Sequence, residues 1–493
     1  MTSAIAHKPT LSVPGPAPTP LLGAAPNIFK FAKDPIAYTR QLFETYGNLV
    51  SLVQGGGTRL YSHYPDCPGT VFACGPEIVR QVATQPDVFY KCPLTGPLYR
   101  FRHESARAKP LNHFLVGIFG DNEAAHKKQR KLMMPAFHHQ RLGSYAQDMA
   151  AITADELNKL EVGQVHNIAA TMQQITLRIA AKSLFGEDIG PEGASTGEIL
   201  HAALDIQGSL AMKFLRYDLP GLPWRRYLNI VAEYERAMKA LLDAKRARGC
   251  DEADVLSMLM QVRDEETQEK LSEEELLGHV GVIFIAGHET SANALTWTLF
   301  LLSQHPQIMS DLLDELEGVL HGDAPTLEQL KDLPLLERVV KESMRILAPV
   351  PWNGRVTAKP TELGGYSLPT GTEVFVSISQ THHMSDLYPN PEAFDHSRWE
   401  TITPTAYEYN PFSAGPRICI GAGFAMMEIK IILAMLLQRY RLEFVPENPI
   451  DRAGMIVMRT KHGMSMRVHK QDRQFDAGVG TVQGNIRDMV NLP

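Results

Sequence analysis

The run from Ser272 to Gln304 constrains this chain most. Ser272 and Glu275 have the spacing of a capping box, no proline interrupts the pattern, and His305-Pro306 stops it. At about 1.5 Å per residue such a helix spans on the order of 50 Å. Its middle, Val280 to Ala286, is apolar on every face. A helix of that kind must run through the interior, so the remaining chain has to be large enough to wrap it. With 493 residues, 44% of them apolar and 21% charged, it is.

Helical spacing recurs over Pro35 to Tyr46, Tyr145 to Leu160, Ile168 to Leu184, Ile230 to Arg248, Glu252 to Met260, Pro306 to Leu320, Leu335 to Leu347 and Gly421 to Tyr440. Short strands are expected at Asn48 to Val53, Thr70 to Ala73 and Val374 to Ile378, with Met464 to Val468 as an edge strand. The fold class is therefore mainly α with a small β portion. Gly55-Gly56-Gly57 opens no helix and lacks the Lys-Ser/Thr of a phosphate-binding loop, so it reads as a turn. The chain divides into a proline-rich extended leader, 1–34, lying along the surface, one catalytic domain, 35–468, and a polar, poorly ordered tail, 469–493.

Lys and Arg number 48 against 55 Asp and Glu, a formal charge of −7, so no general attraction to nucleic acid or anionic lipid is expected. Cys67, Cys74, Cys92, Cys250 and Cys419 are too few and too irregular for a disulfide framework or a zinc site. The N-terminus lacks the order of a secretory signal, and no run of apolar residues is long enough to span a bilayer. A soluble, cytoplasmic protein is expected.

The chemistry concentrates in Phe412-Ser-Ala-Gly415-Pro-Arg417-Ile-Cys419-Ile-Gly421, a cysteine in a glycine-flanked loop directly before an apolar helix. Helix N–H groups and the helix dipole stabilise negative sulfur there, and Arg417 can neutralise an anionic ligand. Gly415 and Gly421 permit positive φ and close approach of the backbone to a flat ligand. A lone intracellular cysteine is most often a small buried hydrophobe; the flanking residues decide otherwise. The pattern resembles the haem-binding loop of the cytochrome P-450 family, in which the cysteine is the axial thiolate ligand of iron. A thiolate donates electron density that favours O–O cleavage, which is why Cys rather than His is needed.

The resemblance extends to Ala286-Gly287-His288-Glu289-Thr290 in the long helix, similar to the family's oxygen-activating A-G-x-D/E-T motif. Helical geometry places Ala286, Glu289 and Thr290 on one side, and Gly287 removes a side chain where a ligand could press. By that resemblance Glu289 and Thr290 deliver protons to the oxygen being activated. A zinc-protease reading of His288-Glu289 fails because position 292 is alanine. Glu342-x-x-Arg345 alone would be an ordinary intrahelical pair. In this order it matches the family's E-x-x-R, with Arg398 completing a buried structural triad that aims the sulfur; His396 departs from the family's usual proline.

His126 and Arg130, four apart, match the family's propionate-binding pair, and Arg355 its other propionate arginine. With Arg417 they balance the two carboxylates of heme b (iron protoporphyrin IX). Lys127, Lys128 and Lys131 form a local basic patch on the side where the family receives its electron donor, implying docking of a ferredoxin with its ferredoxin reductase, or a flavodoxin-type donor. The remaining chain is too short for a flavin or iron–sulfur domain of its own. The resemblance covers roughly Pro35 to Val468. It implies a long central helix over a buried haem, and a monooxygenase that hydroxylates a lipophilic small molecule: a terpenoid, steroid or fatty acid. The proposed lining is Phe114 to Ile118, Leu210 to Leu222, Ile283 to Ala286, Val350 to Trp352 and Met455 to Met458. A haem-thiolate isomerase or peroxygenase would not need the Glu289-Thr290 pair, and a non-catalytic haem sensor would need only the ligand loop.

Overall fold

The computed structural model describes residues 10–91, 106–114, 117–186, 206, 217–248, 254–454 and 456–493. Among them run the helices α1 (Ala25–Lys33), α2 (Pro35–Tyr46), α3 (Pro76–Thr84), α4 (Lys109–Phe114), α5 (Glu123–Met133), α6 (His139–Leu157), α7 (Ile168–Phe185), α8 (Pro223–Arg248), α9 (Val255–Gln261), α10 (Glu273–Ser303), α11 (Pro306–Leu320), α12 (Pro334–Ile346), α13 (Ile378–His382) and α14 (Ala422–Arg439). The strands are short: β1 (Leu49–Ser51), β2 (Thr70–Ala73), β3 (Phe89–Tyr90), β4 (Val165–Asn167), β5 (Trp352–Thr357), β6 (Thr361–Leu363), β7 (Tyr366–Leu368), β8 (Glu373–Ser377), β9 (Tyr440–Phe444), β10 (Arg452–Ala453), β11 (Arg459–Thr460) and β12 (Ser465–Lys470). Five form one sheet in the order β1-β2-β8-β5-β3, in which only β2 and β8 run parallel.

Helix α10 starts where its cap requires. The Glu275 N–H donates to Ser272 Oγ at 3.2 Å, and the Ser272 N–H returns a bond to Glu275 Oε2 at 2.8 Å. Residues Leu276 to Gly281 and Ser291 to Leu302 are nearly all buried, so both ends of the helix are core. It packs along α7, and the Thr176 hydroxyl of α7 donates to the His288 carbonyl at 3.0 Å. The Thr290 hydroxyl donates to the Ala286 carbonyl, four residues back, at 2.7 Å, without interrupting the helix.

Three expectations are corrected. Segment 10–34 is not an extended surface leader. Leu11 and Val13 are buried, the Ser51 N–H donates to the Pro14 carbonyl at 2.7 Å, and Phe31 of α1 lies 5.0 Å from Phe72 of the sheet. The tail after His469 is packed rather than loose: Val482, Ile486, Met489 and Val490 are buried, and the Asn491 N–H reaches the Glu392 carbonyl at 2.8 Å. The last strand is not an edge, since β12 lies between β4 and β9 with Met466 and Val468 wholly buried. Proline content and polarity describe local chain preference, whereas burial here is decided by distant apolar partners.

Where α14 packs on α10, Glu428 is 0% exposed, and neither carboxylate oxygen has a hydrogen-bond partner. Burial pushes this carboxyl from its usual 4.5 up to about 8. Between those two values the folded protein holds a proton that the unfolded chain has lost, so stability falls as pH rises through that window and levels above it. Glu428→Gln removes the titration. In urea unfolding between about pH 5 and pH 8 its stability relative to the parent is expected to grow with pH; a pH-independent difference would show that the carboxyl is already ionised.

Candidate active site

Cys419 sits two residues before α14 on an irregular loop. Its N–H donates to the Phe412 carbonyl at 2.8 Å, and a single 3-10 turn, Gly415–Arg417, precedes it. Gly415 has φ +67°, and a Cβ there would lie 2.5 Å from the Ala83 carbonyl oxygen, so glycine is required where the loop presses on α3. The expectation for Gly421 is corrected: its φ is −91°, open to any residue, and an added Cβ would meet only Cys419 Sγ, at 4.0 Å. What Gly421 supplies is its N–H, which points at the sulfur. Cys419 is exposed, yet surrounding protein raises its thiol pKa by burial, against the opposing pull of the Gly421 N–H and the Arg130 guanidinium. The residue thus has solvent access while its thiol is partly enclosed by protein, as in a recess.

Cations gather beside it. Arg130 on α5 donates to the Ile418 carbonyl at 2.7 Å. Arg417 turns to the loop before α5, bonding the carbonyl of Ile118 at 3.1 Å, that of Asp121, and Asn122 Oδ1 at 2.8 Å. Arg355, on strand β5, is buried, and its guanidinium donates to the carbonyl of its neighbour Gly354 at 2.8 Å. Burial lowers it to about 10, and burial with the Arg355 charge lowers Arg417 to about 9. His126 is held at about 4, by burial first and then by Arg417, Arg130 and Arg355, so it is neutral at pH 7. Among the described residues no carboxylate forms an ion pair with Arg130, Arg355 or Arg417. Three buried or half-buried guanidinium groups facing one another are costly unless an anion joins them. A recessed sulfur with unpaired cations nearby fits a flat group bearing two carboxylates.

On α10 the middle of the helix opens. Ala286 is exposed and Gly287 and Thr290 half-buried, within a helix that is otherwise core. Nothing but Ala180 Cβ, at 3.9 Å, would meet a side chain at position 287. Glu289 does not share this open face: it is buried, 4% exposed, because at about 100° per residue it lies some 60° from Ala286, toward the core.

Glu342, Arg345 and Arg398 come together in full. The Arg345 Nε and Nη2 donate to Glu342 Oε2 and Oε1 at 2.9 and 2.8 Å, and Arg398 Nε reaches Oε1 at 3.0 Å. His396 opens a short 3-10 turn and does not disturb this contact. Two further donors were not foreseen: Trp399 Nε1, 2.9 Å from Glu342 Oε2, and the Asp395 N–H, 3.1 Å from Oε1. No spacing rule announces Trp399; only its place beside Arg398 hints at it.

The lining segments divide. Positions 115–116, 210–216 and 455 lie outside the described residues. Ile283, Ile285 and Val350 are half-buried. Trp352 and Met458 are core instead: Trp352 stands edge-on to Phe375, and the Met458 carbonyl accepts from Trp297 Nε1 at 3.0 Å. On the basic patch, Lys128 and Lys131 are paired with Glu269 and Glu265, at 3.3 and 2.6 Å. No described helix is long and apolar enough to cross a membrane.

Comparison with known proteins agrees with this geometry. The cytochrome P-450 family profile matches residues 13–466. Cyclooctat-9-en-7-ol 5-monooxygenase of Streptomyces melanosporofaciens is 31% identical over 453 residues, 90% of this chain and 92% of its own. Pentalenene oxygenase of Streptomyces avermitilis is 29% identical over 459 residues, 92% of this chain and 96% of its own. The structure of retinoic acid-bound cyanobacterial CYP120A1 superposes with a TM-score of 0.78 at 24% identity, covering 94% of this chain and 99% of that one. A recessed cysteine at a helix N-terminus, a fold shared end to end and a family match over nearly the whole length lead to one conclusion: the chain belongs to the cytochrome P-450 family, a haem b monooxygenase that hydroxylates a lipophilic molecule with dioxygen and electrons from redox partners such as ferredoxin.

Proposed function

We propose that this chain hydroxylates a terpenoid, with Cys419 as the thiolate ligand of the haem and His126, Arg130, Arg355 and Arg417 facing its two carboxylates. The observation that carries the reading is the Cys419 sulfur, exposed inside an interior recess beside cations that no described carboxylate pairs. When bound, the haem supplies activation of dioxygen by two electrons, one oxygen atom entering a substrate C–H bond and the other leaving as water. The relatives named for cyclooctat-9-en-7-ol and pentalenene support a terpenoid over a steroid or fatty acid. So does the open face of α10, where Ile283 and Ala286 offer no group to orient a charge. Free thiols at Cys67 and Cys74 support a cytoplasmic setting.

The site residues divide the work. The Gly421 N–H and the Arg130 charge favour the thiolate of Cys419 against the burial that raises its thiol pKa, and the Phe412 carbonyl fixes the cysteine backbone. Neutral His126 adds a hydrogen bond without adding charge to an already cationic wall. Thr290 donates to the Ala286 carbonyl and keeps its lone pairs for accepting, so it passes a proton only by rotating off that carbonyl. Gly287 leaves the adjacent face clear, and Glu289 stores a carboxyl one residue away in the core. Glu342, Arg345 and Arg398 brace the segment that carries Cys419.

Ferredoxin docks on the α5 face, where Lys127 is exposed and Ile418, also exposed, lies beside Arg130. The pairs made by Lys128 and Lys131 are solvent-screened surface pairs, so a partner's carboxylates can replace them. A reductase or a flavodoxin-type donor would use the same charge pattern.

Cys419→Ala is expected to abolish the absorption band typical of thiolate coordination in the reduced, carbon-monoxide-treated protein; an unaltered band would end the ligand assignment. Thr290→Ala is expected to divert oxygen consumption from product, lowering product formation by roughly 100-fold or more while NADPH oxidation continues; unchanged coupling would remove that hydroxyl from the proton path. Reversing charge at Lys127 and Lys128 should weaken reduction by ferredoxin and flatten its salt dependence, and an unchanged salt profile would move the docking face elsewhere.

A further inference from the structure

The Arg355 guanidinium has a carbonyl neighbour but, among the described residues, no anion paired with it to aim it. Its backbone, by contrast, is held from both sides by one phenol. Tyr61 Oη donates to the Arg355 carbonyl at 2.6 Å and accepts from the Arg355 N–H at 3.2 Å, with the Val374 carbonyl 3.1 Å away as a second acceptor. The phenol therefore bridges β5 and β8 at the register where Arg355 faces Val374. Tyr61 itself belongs to the loop between β1 and β2, where no ladder secures it.

What secures it is Glu373, the residue before Val374. Its wholly buried carboxylate accepts the backbone N–H groups of Leu60, at 2.8 Å, Tyr61 and Ser62, and the Thr70 hydroxyl at 2.5 Å. Four donors on one carboxylate offset the cost of burying it, and three of them fix the backbone on either side of Tyr61. The Ser62 hydroxyl adds a tie to the Gly371 carbonyl at 3.1 Å, and the Tyr61 ring stands edge-on to Phe375 at 4.8 Å. One residue of β8 thus orients the loop, the loop orients a phenol, and the phenol grips the backbone of the arginine across the sheet.

We propose that Tyr61 and Glu373 are positioning residues for Arg355, holding its guanidinium in the direction from which it meets a haem carboxylate. This rests on the assignment of Arg355 to that carboxylate above. The physical reason is that a buried cation loses much of its interaction with an anion when its base shifts by a fraction of an ångström, and the phenol adds a side-chain tie at the fourth of the five residue pairs that join β5 to β8. Neither residue touches the cofactor in this scheme; both act through Arg355.

The test is a double-mutant cycle on the holoprotein, reading the rate of haem transfer to apomyoglobin and the reduction potential. Tyr61→Phe keeps the buried ring and removes only the hydroxyl. It is expected to speed haem loss by about fivefold, the factor one hydrogen bond supplies, and to move the potential in the same direction as Arg355→Gln. Glu373→Gln should do the same more weakly. In the Arg355→Gln background neither change should add anything. Additive effects in that background would overturn the proposal, because the two residues would then act on haem retention without Arg355. If Arg355→Gln alone leaves haem loss unchanged, the carboxylate assignment of Arg355 falls and the positioning role with it, while the spectroscopic test of Cys419 stands apart.

Discussion

One carboxylate bears the irregular part of this molecule. Between α13 and α14 the chain runs about forty residues without a regular helix or strand beyond single 3-10 turns, and the cysteine loop is the end of that run. Backbone ladders cannot hold such a segment, so side chains must. Glu342 accepts from Arg345, Arg398, Trp399 and the Asp395 N–H, while Arg345 and Arg398 pass the grip on to the carbonyls of His382, at 2.8 Å, and Pro389, at 3.0 Å. A buried charge is expensive on its own, and here every lone pair of the carboxylate has a donor. That satisfaction is what lets a long irregular chain hold a sulfur in one place.

The opposite arrangement holds a few residues away. Arg130, Arg355, Arg417 and His126 gather with no ion-paired carboxylate among the described residues; burial lowers the basicity of each, and for His126 and Arg417 the neighbouring guanidinium charges lower it further. The protein thus keeps two electrostatic centres of different character: one closed, in which charge is balanced within the fold, and one open, in which balance awaits a dianion. In the proposed function the open centre is where the cofactor's carboxylates bind, and the closed one is the frame that holds the Cys419 loop.

Helix α10 links the two by changing character along its length. Its ends are sealed core; Thr176 of α7 ties its middle at the His288 carbonyl, and the Thr298–Ser343 hydroxyl pair, at 2.8 Å, ties its C-terminal half to α12. Its middle carries small residues and an open face. A helix apolar on all sides can serve both purposes because removing side-chain volume at Ala286 and Gly287 opens space without breaking the backbone ladder.

Much of this was readable from residue order alone. The Ser272 cap, the unbroken apolar run to Ser303, the exact limits of α2, β2 and α11, and the position of Cys419 before a helix are all local matters, set by spacing, capping and proline. What spacing could not tell is which surface faces what. Glu289 turned to the core, Trp352 and Met458 became packing residues, Gly421 proved to need no unusual φ, and the proline-rich start and polar tail were drawn into the fold by Phe72 and by the partners of Met489. Nor does any local pattern join Tyr61 to Glu373 and Arg355 across some three hundred residues. Local chain chemistry determines where a helix begins and which residue types are at hand; only tertiary packing decides which atoms lose water, and burial is what sets the charge, the partner and the use of each side chain.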